Sequence, residues 1–390
     1  MTIFTLIIYL IIGIYSAGLI LFLIGLFFPQ KGSSTRQPFV SVVVAARNEA
    51  DNIGACLDGL IQQTYPEELY EIIIVSDNSV DATDQIVTEY ARKKRNVHLL
   101  RLNGVPDGLT PKKNAITRGI QHSRGEIILT TDADCLVKNT WVETMISYFT
   151  DGVGMVVGFS QLGQKGQPQT LLEKLQAFDF LSLMASAAGS SSLGIPLAAS
   201  GQNLAYRRDA FDAVGGFAQV GHRVSGDDVL LLQLIKQRTD WNIKFAYSAR
   251  AHNVTRPEKR VVDLLNQRIR WASNGPYQLF LNLPFFSYIL TTFLANVSII
   301  LNLILAAGGV VPWALLYNPW VIKITCEFLL TLKGALVFKR TDLVKYFPLW
   351  TMLQIPYVLL VGLLGSLGNF NWKGREHRIR KQYLKWGEKR

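Results

Sequence analysis

Glu126-Ile127-Ile128-Leu129-Thr130-Thr131-Asp132-Ala133-Asp134 decides the fold. Residues 126–130 form a short apolar run of the kind found in a strand buried on both faces, and the chain then turns directly into two carboxylates. Upstream, Val40-Ser41-Val42-Val43-Val44-Ala45-Ala46 is a β-branched run of the same character. Glu71-Ile72-Ile73-Ile74-Val75 is another, ending in Ser76-Asp77-Asn78, and residues 97–102 form a shorter one. Between these runs lie stretches that suit helices: 48–63, with Glu49 and Asp51 in its first turn, then 82–94 and 111–122. Strand and helix alternating at short intervals predict an α/β domain with a mostly parallel sheet and helices on both faces. Ligands in such sheets sit beyond the carboxyl ends of the strands, where Asp77, Asp132 and Asp134 all fall.

Around this core the chain of 390 residues turns strongly apolar. Residues 3–28, 272–322 and 346–372 contain no charged residue, and each stretch reaches or exceeds the roughly 20 residues that span a bilayer as a helix. With 49% hydrophobic residues and 18% charged, the composition excludes a disordered chain. The first apolar run has no Lys or Arg before it, while Lys31 and Arg36 follow it, so it reads as an uncleaved anchor rather than a secretory signal. The positive-inside rule puts residue 31 onward in the cytoplasm. Three C-terminal segments are candidates for further spans: 285–307, closed by Gly308, Gly309 and Pro312; 310–336, carrying Lys323, Glu327 and Lys333; and 346–368, interrupted by Pro348 and Pro356. Three full spans would carry the basic end to the far side, so the expectation is two spans and one shallow segment, or the opposite orientation. The net charge of +11 owes much to residues 369–390, where eight Lys and Arg face two Glu. Such a flank suits an anionic membrane surface better than nucleic acid. Cys56, Cys135 and Cys326 are too far apart for a disulfide framework or zinc spacing.

Four features carry chemistry. Asp132-x-Asp134, on alternate positions after a strand, suits a divalent cation and the diphosphate it carries, because Mg²⁺ and Mn²⁺ take one or two carboxylates plus substrate oxygens. Standing alone, such a pair is more often a polar turn. Asp77 has the chemistry to hold a ribose or base, or simply to cap a helix as Ser79 or Asp81 would. Asp227-Asp228 places two like charges side by side, which suits a general base for a hydroxyl; its plainer reading is the negative start of the helix running to Lys236. Gln267-Arg268-Ile269-Arg270-Trp271 offers a guanidinium for phosphate oxygens and a flat ring, though Arg and Trp are also ordinary at membrane boundaries. Val261, Val262, Leu264, Leu265 and Ile269 make the approach to it amphipathic.

Together these features resemble the family 2 glycosyltransferases of the GT-A fold over residues 40–271. Residues 42–49, including Ala46, Arg47 and Glu49, look like the family's opening strand and nucleotide-binding turn. Residues 73–83 resemble its second motif, which implies a nucleoside contact for Asp77, with Ser76 and Asn78 departing from the Asp and Gly often found there. Lys112-Lys113-Asn114-Ala115-Ile116 is similar to the Lys-x-x-Ala-Leu helix start and implies a place near the donor for Lys112. Asp132-Ala133-Asp134 matches the metal-binding motif. Residues 201–208 and 214–217 look like the acceptor-side segment. Gly226-Asp227-Asp228 matches the motif usually written Glu-Asp, implying Asp228 as catalytic base with Asp227 beside it. Gln267-x-x-Arg270-Trp271 matches the motif of the membrane-embedded members, and residues 371–375 resemble a Trp-Lys-Gly-Arg ending of lipid-modifying members.

The resemblance implies an inverting, metal-dependent hexosyltransferase, possessing Mg²⁺ or Mn²⁺ and a nucleotide-sugar donor, by default a UDP-sugar. Its acceptor would be a lipid or lipid-linked hydroxyl, as in ceramide, carotenoid or hopanoid glycosyltransferases. Arg270 and Trp271 would close over the donor diphosphate. A processive polysaccharide synthase is the alternative, and a catalytically silent scaffold or a transport role for Lys323 and Glu327 is more remote. The corresponding partition is an anchor at 1–30, a GT-A domain at 38–255, an interfacial segment at 256–283, membrane segments at 284–370 and a basic cytoplasmic tail at 371–390. The expected setting is the cell (inner) membrane, multi-pass, with the catalytic domain cytoplasmic and no nucleic-acid partner.

Overall fold

The β-branched run at Val40–Ala46 (β1) forms an interior strand, third in order, of a seven-stranded sheet in a computed structural model. The structure describes the chain except residues 1–2, 105–107, 168, 368, 373–374 and 379–390, so most of the basic end lies outside the described residues. Helix α1 (Ile3–Gly25) precedes β1. After β1 come α2 (Ile53–Ile61), β2 (Tyr70–Asp77), α3 (Thr83–Lys93), β3 (Val97–Leu102), α4 (Pro111–His122) and β4 (Ile127–Thr130). Then follow α5 (Trp141–Ser147), β5 (Val153–Gly158), β6 (Ser160–Leu162), α6 (Leu171–Ser192), β7 (Leu204–Arg207), α7 (Arg208–Ala213), α8 (Val229–Arg238), β8 (Asn242–Ala246) and β9 (Asn253–Thr255). The chain ends in α9 (Val261–Ala272), α10 (Gln278–Leu281), α11 (Leu283–Ala307), α12 (Ala314–Val337), α13 (Phe347–Leu367) and a hairpin of β10 (Asn369–Trp372) with β11 (Arg375–Arg378). Two compact units divide it: Pro29–Gln167 with Gly194–Pro257, and Met1–Phe28 with Pro168–Leu193 and Glu258–Arg390.

In the α/β unit the strand order is β3-β2-β1-β4-β7-β5-β8. β1 pairs in parallel with β2, Val40 opposite Tyr70 through Ala46 opposite Ser76, and with β4, Val40 opposite Ile127. This is the parallel arrangement anticipated from the sequence. β7 alone in this sheet runs antiparallel to its neighbours β4 and β5, and it comes from the segment read as acceptor-side rather than as a strand. Val40, Val42, Val44, Ile72, Ile74, Ile127 and Leu129 are all buried on one face, against Cys56, Leu57, Leu60, Trp141 and Met145. Each such aliphatic side chain contributes roughly 1.5–3 kcal/mol on burial. The other face carries α4. A Cβ at Gly119 would run into Val43 and Val75, so the helix lies against the sheet more closely than any larger residue permits. The first turn of the same helix carries Lys112 and Lys113.

The helix expected over 48–63 begins only at Ile53. Asn48 is left-handed at φ 54°, and the next N–H groups bond to side chains of the neighbouring turn, Glu49 to Thr83 Oγ1 at 2.8 Å and Ala50 to Asp81 Oδ2 at 3.0 Å. Backbone donors engaged in this way hold a turn instead of a first helical turn.

The second unit is helical. Pro168–Leu193, which the linear partition left inside 38–255, belongs to it. α1 and α6 cross at Gly25 and Gly189, where an added Cβ would strike the facing backbone; small residues permit such close crossings. Three stretches among the described residues are long and apolar enough to cross a membrane: Thr5–Gly25, Leu283–Ala307 and Thr341–Ser366. α13 continues through Pro356, where the sequence suggested an interruption. α12 is not among the three, and two of its charges are paired with each other: Lys323 Nζ lies 2.8 Å from Glu327 Oε1 and donates to Gln354 Oε1 at 2.9 Å, while Tyr15 donates to Glu327 at 2.7 Å.

Candidate active site

The candidate side chains of the α/β unit come from the segments that follow β1, β2, β3 and β4 and from the connection between α7 and α8. At the ends of β1 and β2, Arg47 Nη1 pairs with Asp77 Oδ2 at 3.2 Å, and Asp77 also accepts from Asn78 Nδ2 at 3.1 Å. Asp77 is buried. It does not cap α3. Asp81, just before the N-cap position Ala82, accepts from the Thr83 N–H at 3.0 Å and the Thr83 hydroxyl at 2.6 Å, and the hydroxyl bond holds its carboxyl below the usual range. Ala46, Arg47, Glu49 and Asp77 therefore occupy adjoining strand ends, the place expected for a nucleoside.

Beyond β4, Asp132 and Asp134 emerge as the sequence anticipated. Lys112 Nζ reaches Asp132 Oδ1 at 2.8 Å and Asp227 Oδ2 at 3.0 Å. Burial opposes charge on this lysine, but the two carboxylates outweigh it and raise its proton affinity. Asp134 is pushed up to about 6, first by burial and then by Asp132 and Glu49. One lysine thus ties the Asp-x-Asp motif to an acidic pair almost a hundred positions away in sequence.

That acidic pair is divided by its surroundings. Burial works against the Asp227 anion, yet Lys112 and Lys113 hold it at about 2. Asp228 shifts the other way, raised by burial and then by the charge of Asp227. Both Asp228 oxygens are oriented: Oδ1 accepts from the Val229 N–H at 2.6 Å as the cap of α8, and Oδ2 from the Gly201 N–H at 2.9 Å. The helix-start reading is therefore correct for Asp228 and does not exclude the other. Neighbouring carboxylates driven apart in proton affinity are the arrangement by which proteins separate an anchored anion from a base.

Two residues that the sequence placed only within longer motif matches contribute at the acid pair. Gly201 approaches so closely that an added Cβ would lie 3.0 Å from Asp227 Oδ2. Its neighbour Gln202 is held by Thr131, whose hydroxyl donates to the Gln202 carbonyl at 2.8 Å, and by the Asn253 amide on the same oxygen. Lys113 is the other. The doubled lysine was visible in the sequence, but only its first member occupies a specified position of the motif.

Gln267, Arg270 and Trp271 lie on α9, in the helical unit. Gln267 Nε2 donates to Glu258 at 2.9 Å, and its Oε1 accepts from Arg268 at 3.0 Å. Arg268 lies 2.9 Å from Asp179 and 4.2 Å over the Trp271 ring. Cys56 and Cys135 are buried free thiols.

The family described as Glycosyl transferase family 2 matches residues 41–215. Glycosyltransferase AglE of Haloferax volcanii is 30% identical over 247 residues, 63% of this chain and 75% of that protein. The chain belongs to the family 2 glycosyltransferases. This glycosyltransferase is also 28% identical to a beta-monoglucosyldiacylglycerol synthase of a Nostoc species over 65% of its own length, though it spans only 52% of that longer protein. Among solved structures, the mannosyltransferase PcManGT from Pyrobaculum calidifontis, in complex with GDP-Man and Mn²⁺, superposes with a TM-score of 0.61 at 17% identity, over 93% of this chain and 99% of that one. That likeness establishes the GT-A fold of the enzyme.

Proposed function

We propose that this glycosyltransferase moves a single sugar from a nucleotide-sugar to a hydroxyl of a lipid or lipid-linked acceptor, with inversion and with a divalent cation. The observation that carries the reading is the Lys112 bridge, which gathers Asp132, Asp227 and, through the chain, Asp228 into one acidic cluster. A relative named for making a glucolipid and three apolar helices of spanning length favour a lipid acceptor.

The donor set fits Mg²⁺ or Mn²⁺. Among the described residues no group of three or more His, Cys, Asp or Glu forms a metal cage, so the cation would rest on Asp132 and Asp134 and on substrate phosphate oxygens. Burial beside Asp132 already disfavours the Asp134 anion, a cost that a cation relieves. When bound, the cation neutralises charge on the departing diphosphate. The chain's residues do the rest. Asp77 with Arg47, and Ala46 and Glu49 beside them, receive the nucleoside end. Asp228 takes the proton of the acceptor hydroxyl as its oxygen bonds the anomeric carbon, while the bond from that carbon to the nucleoside diphosphate breaks on the opposite face. Asp227, held anionic, keeps Lys112 in place. The donor-side role of Gln267, Arg270 and Trp271 rests on sequence resemblance alone. The setting we propose is a multi-pass protein of the cell (inner) membrane with its catalytic domain cytoplasmic.

The test is transfer by the purified full chain in lipid vesicles, with Mn²⁺ and labelled UDP-glucose, UDP-N-acetylglucosamine or GDP-mannose in turn. Mass spectrometry of the lipid fraction should show one added sugar. A ladder of lengths would favour a polysaccharide synthase, and no labelled lipid with any donor would overturn the lipid reading.

A further inference from the structure

Lys113 stands next to Lys112 in the first turn of α4 but takes quite different partners. The side chain is 1% exposed, and its Nζ donates to the Arg223 carbonyl at 2.5 Å and to the Ser225 carbonyl at 2.9 Å. Thr110, just before the helix, adds two more ties: its hydroxyl donates to the same Arg223 carbonyl at 3.2 Å, and its N–H to the Gly221 carbonyl at 2.8 Å. The start of α4 therefore grips the backbone of 221–225 from one side. That backbone runs straight into Gly226, left-handed at φ 86°, and then Asp227 and Asp228.

A buried amine bonded to carbonyls rather than to a carboxylate is expensive, and an apolar side chain of similar volume would avoid the cost. Burial, only partly offset by Asp227 and Asp228 and reinforced by Arg223 and Lys112, lowers this lysine to about 7. The polar end is therefore retained against an energetic gradient, and its donors meet the two carbonyls that lead into the acid pair.

We propose that Lys113 is a positioning residue for Asp227 and Asp228: it holds the 223–225 backbone at the distance from α4 where Asp227 meets Lys112 and Asp228 faces the Gly201 N–H. Lys113 is not assigned any contact with the donor or the acceptor. The two neighbouring lysines divide the work, Lys112 binding the side chain of Asp227 and Lys113 binding the backbone that presents it. The inference rests on the reading of Asp228 as the base, since its effect on turnover passes through that carboxylate.

The experiment uses the full chain in lipid nanodiscs. Lys113→Met is compared with Lys113→Arg, which returns paired N–H donors, and with Lys113→Gln should the methionine variant not fold. Three readouts are taken: kcat, donor KM, and hydrogen exchange of the amides at 223–228 against those of β1 and β4. Losing both hydrogen bonds predicts a drop in kcat of roughly tenfold or more with donor KM within about threefold. Exchange should quicken at 223–228 alone, and Lys113→Arg should recover much of the lost kcat. Wild-type kcat in the methionine or glutamine variant overturns the proposal, as does a loss accompanied by faster exchange throughout the sheet, which would make Lys113 a folding residue only. Failure of the base reading is separable: it would show as an active Asp228→Asn enzyme, whereas the exchange at 223–228 reports the tether whatever Asp228 does.

Discussion

The Asp227 carboxylate meets the Lys112 ammonium at 3.0 Å, and through that contact two segments far apart in sequence become one site. Lys112 also holds Asp132 at 2.8 Å, so its removal leaves two partly or fully buried carboxylates without their cation. Breaking one side of a buried ionic cluster is much more damaging than never having built it. Lys112→Met should lower kcat/KM on the order of a hundredfold or more. Steady-state kinetics with saturating Mn²⁺ checks this, and a variant within threefold of wild type contradicts it.

Asp228 is raised by burial and by the Asp227 charge, so it is a stronger base than an ordinary carboxylate. The proposed base role requires it unprotonated. The acid limb of kcat should therefore lie above the ordinary aspartate value of about 3.9, with activity rising as pH rises through it. Asp227→Asn removes one of the raising causes, and the acid limb of its residual activity should move to lower pH. A pH–rate series on both enzymes decides the matter.

Asp227 makes the opposite contribution to stability. Held at about 2 when folded, it binds protons less readily than in the unfolded chain, so its stabilisation is complete above the unfolded value near 4 and is lost as pH falls through about 2. The loss is on the order of 2 kcal/mol. Melting curves between pH 5 and pH 2 should show the wild type losing its advantage over Asp227→Asn across that window.

Much of this arrangement was legible in the amino-acid order. Val40–Ala46 and Tyr70–Asp77 announced themselves through the near-continuous apolar runs 42–46 and 72–75 that strands covered on both faces carry, and Asp132 and Asp134 were recognisable from their position after such a strand. Other features had no local signature. The left-handed Asn48 that shortens α2 is imposed by Thr83 and Asp81 of the next turn. β7 is antiparallel because it returns to pair with both β4 and β5, a tertiary choice. The different fates of Asp227 and Asp228 depend on Lys112 and Gly201, which are distant in sequence from both. α6 carries Asp179, Gln176 and several serines, so its apolar character is broken and its membership of the helical unit shows only in the fold.

Gly119 tests how α4 positions its lysines. A Cβ there meets Val43 and Val75 on the sheet. Gly119→Val should overpack this contact at a cost of about 1–3 kcal/mol and displace the first turn of α4. A lowered melting temperature together with reduced kcat is expected, and unchanged turnover would show that Lys112 is placed by other contacts.

In the helical unit, Lys323, Glu327, Gln354 and Tyr15 form a buried polar cluster. Lys323→Met should destabilise by about 3–5 kcal/mol because it leaves Glu327 with the Tyr15 hydroxyl but without its cation, whereas the double change of Lys323→Met with Glu327→Met should recover most of the loss. Thermal unfolding in detergent, read as a double-mutant cycle, checks the coupling.

The most direct trial of the whole account is single-turnover sugar transfer by Asp228→Asn, in lipid, with saturating nucleotide-sugar and Mn²⁺, beside a binding measurement for the donor. Donor affinity near that of the wild type is expected, with transfer reduced by about a thousandfold or more, the loss of a general base. Transfer by Asp228→Asn at a rate close to wild type would contradict it.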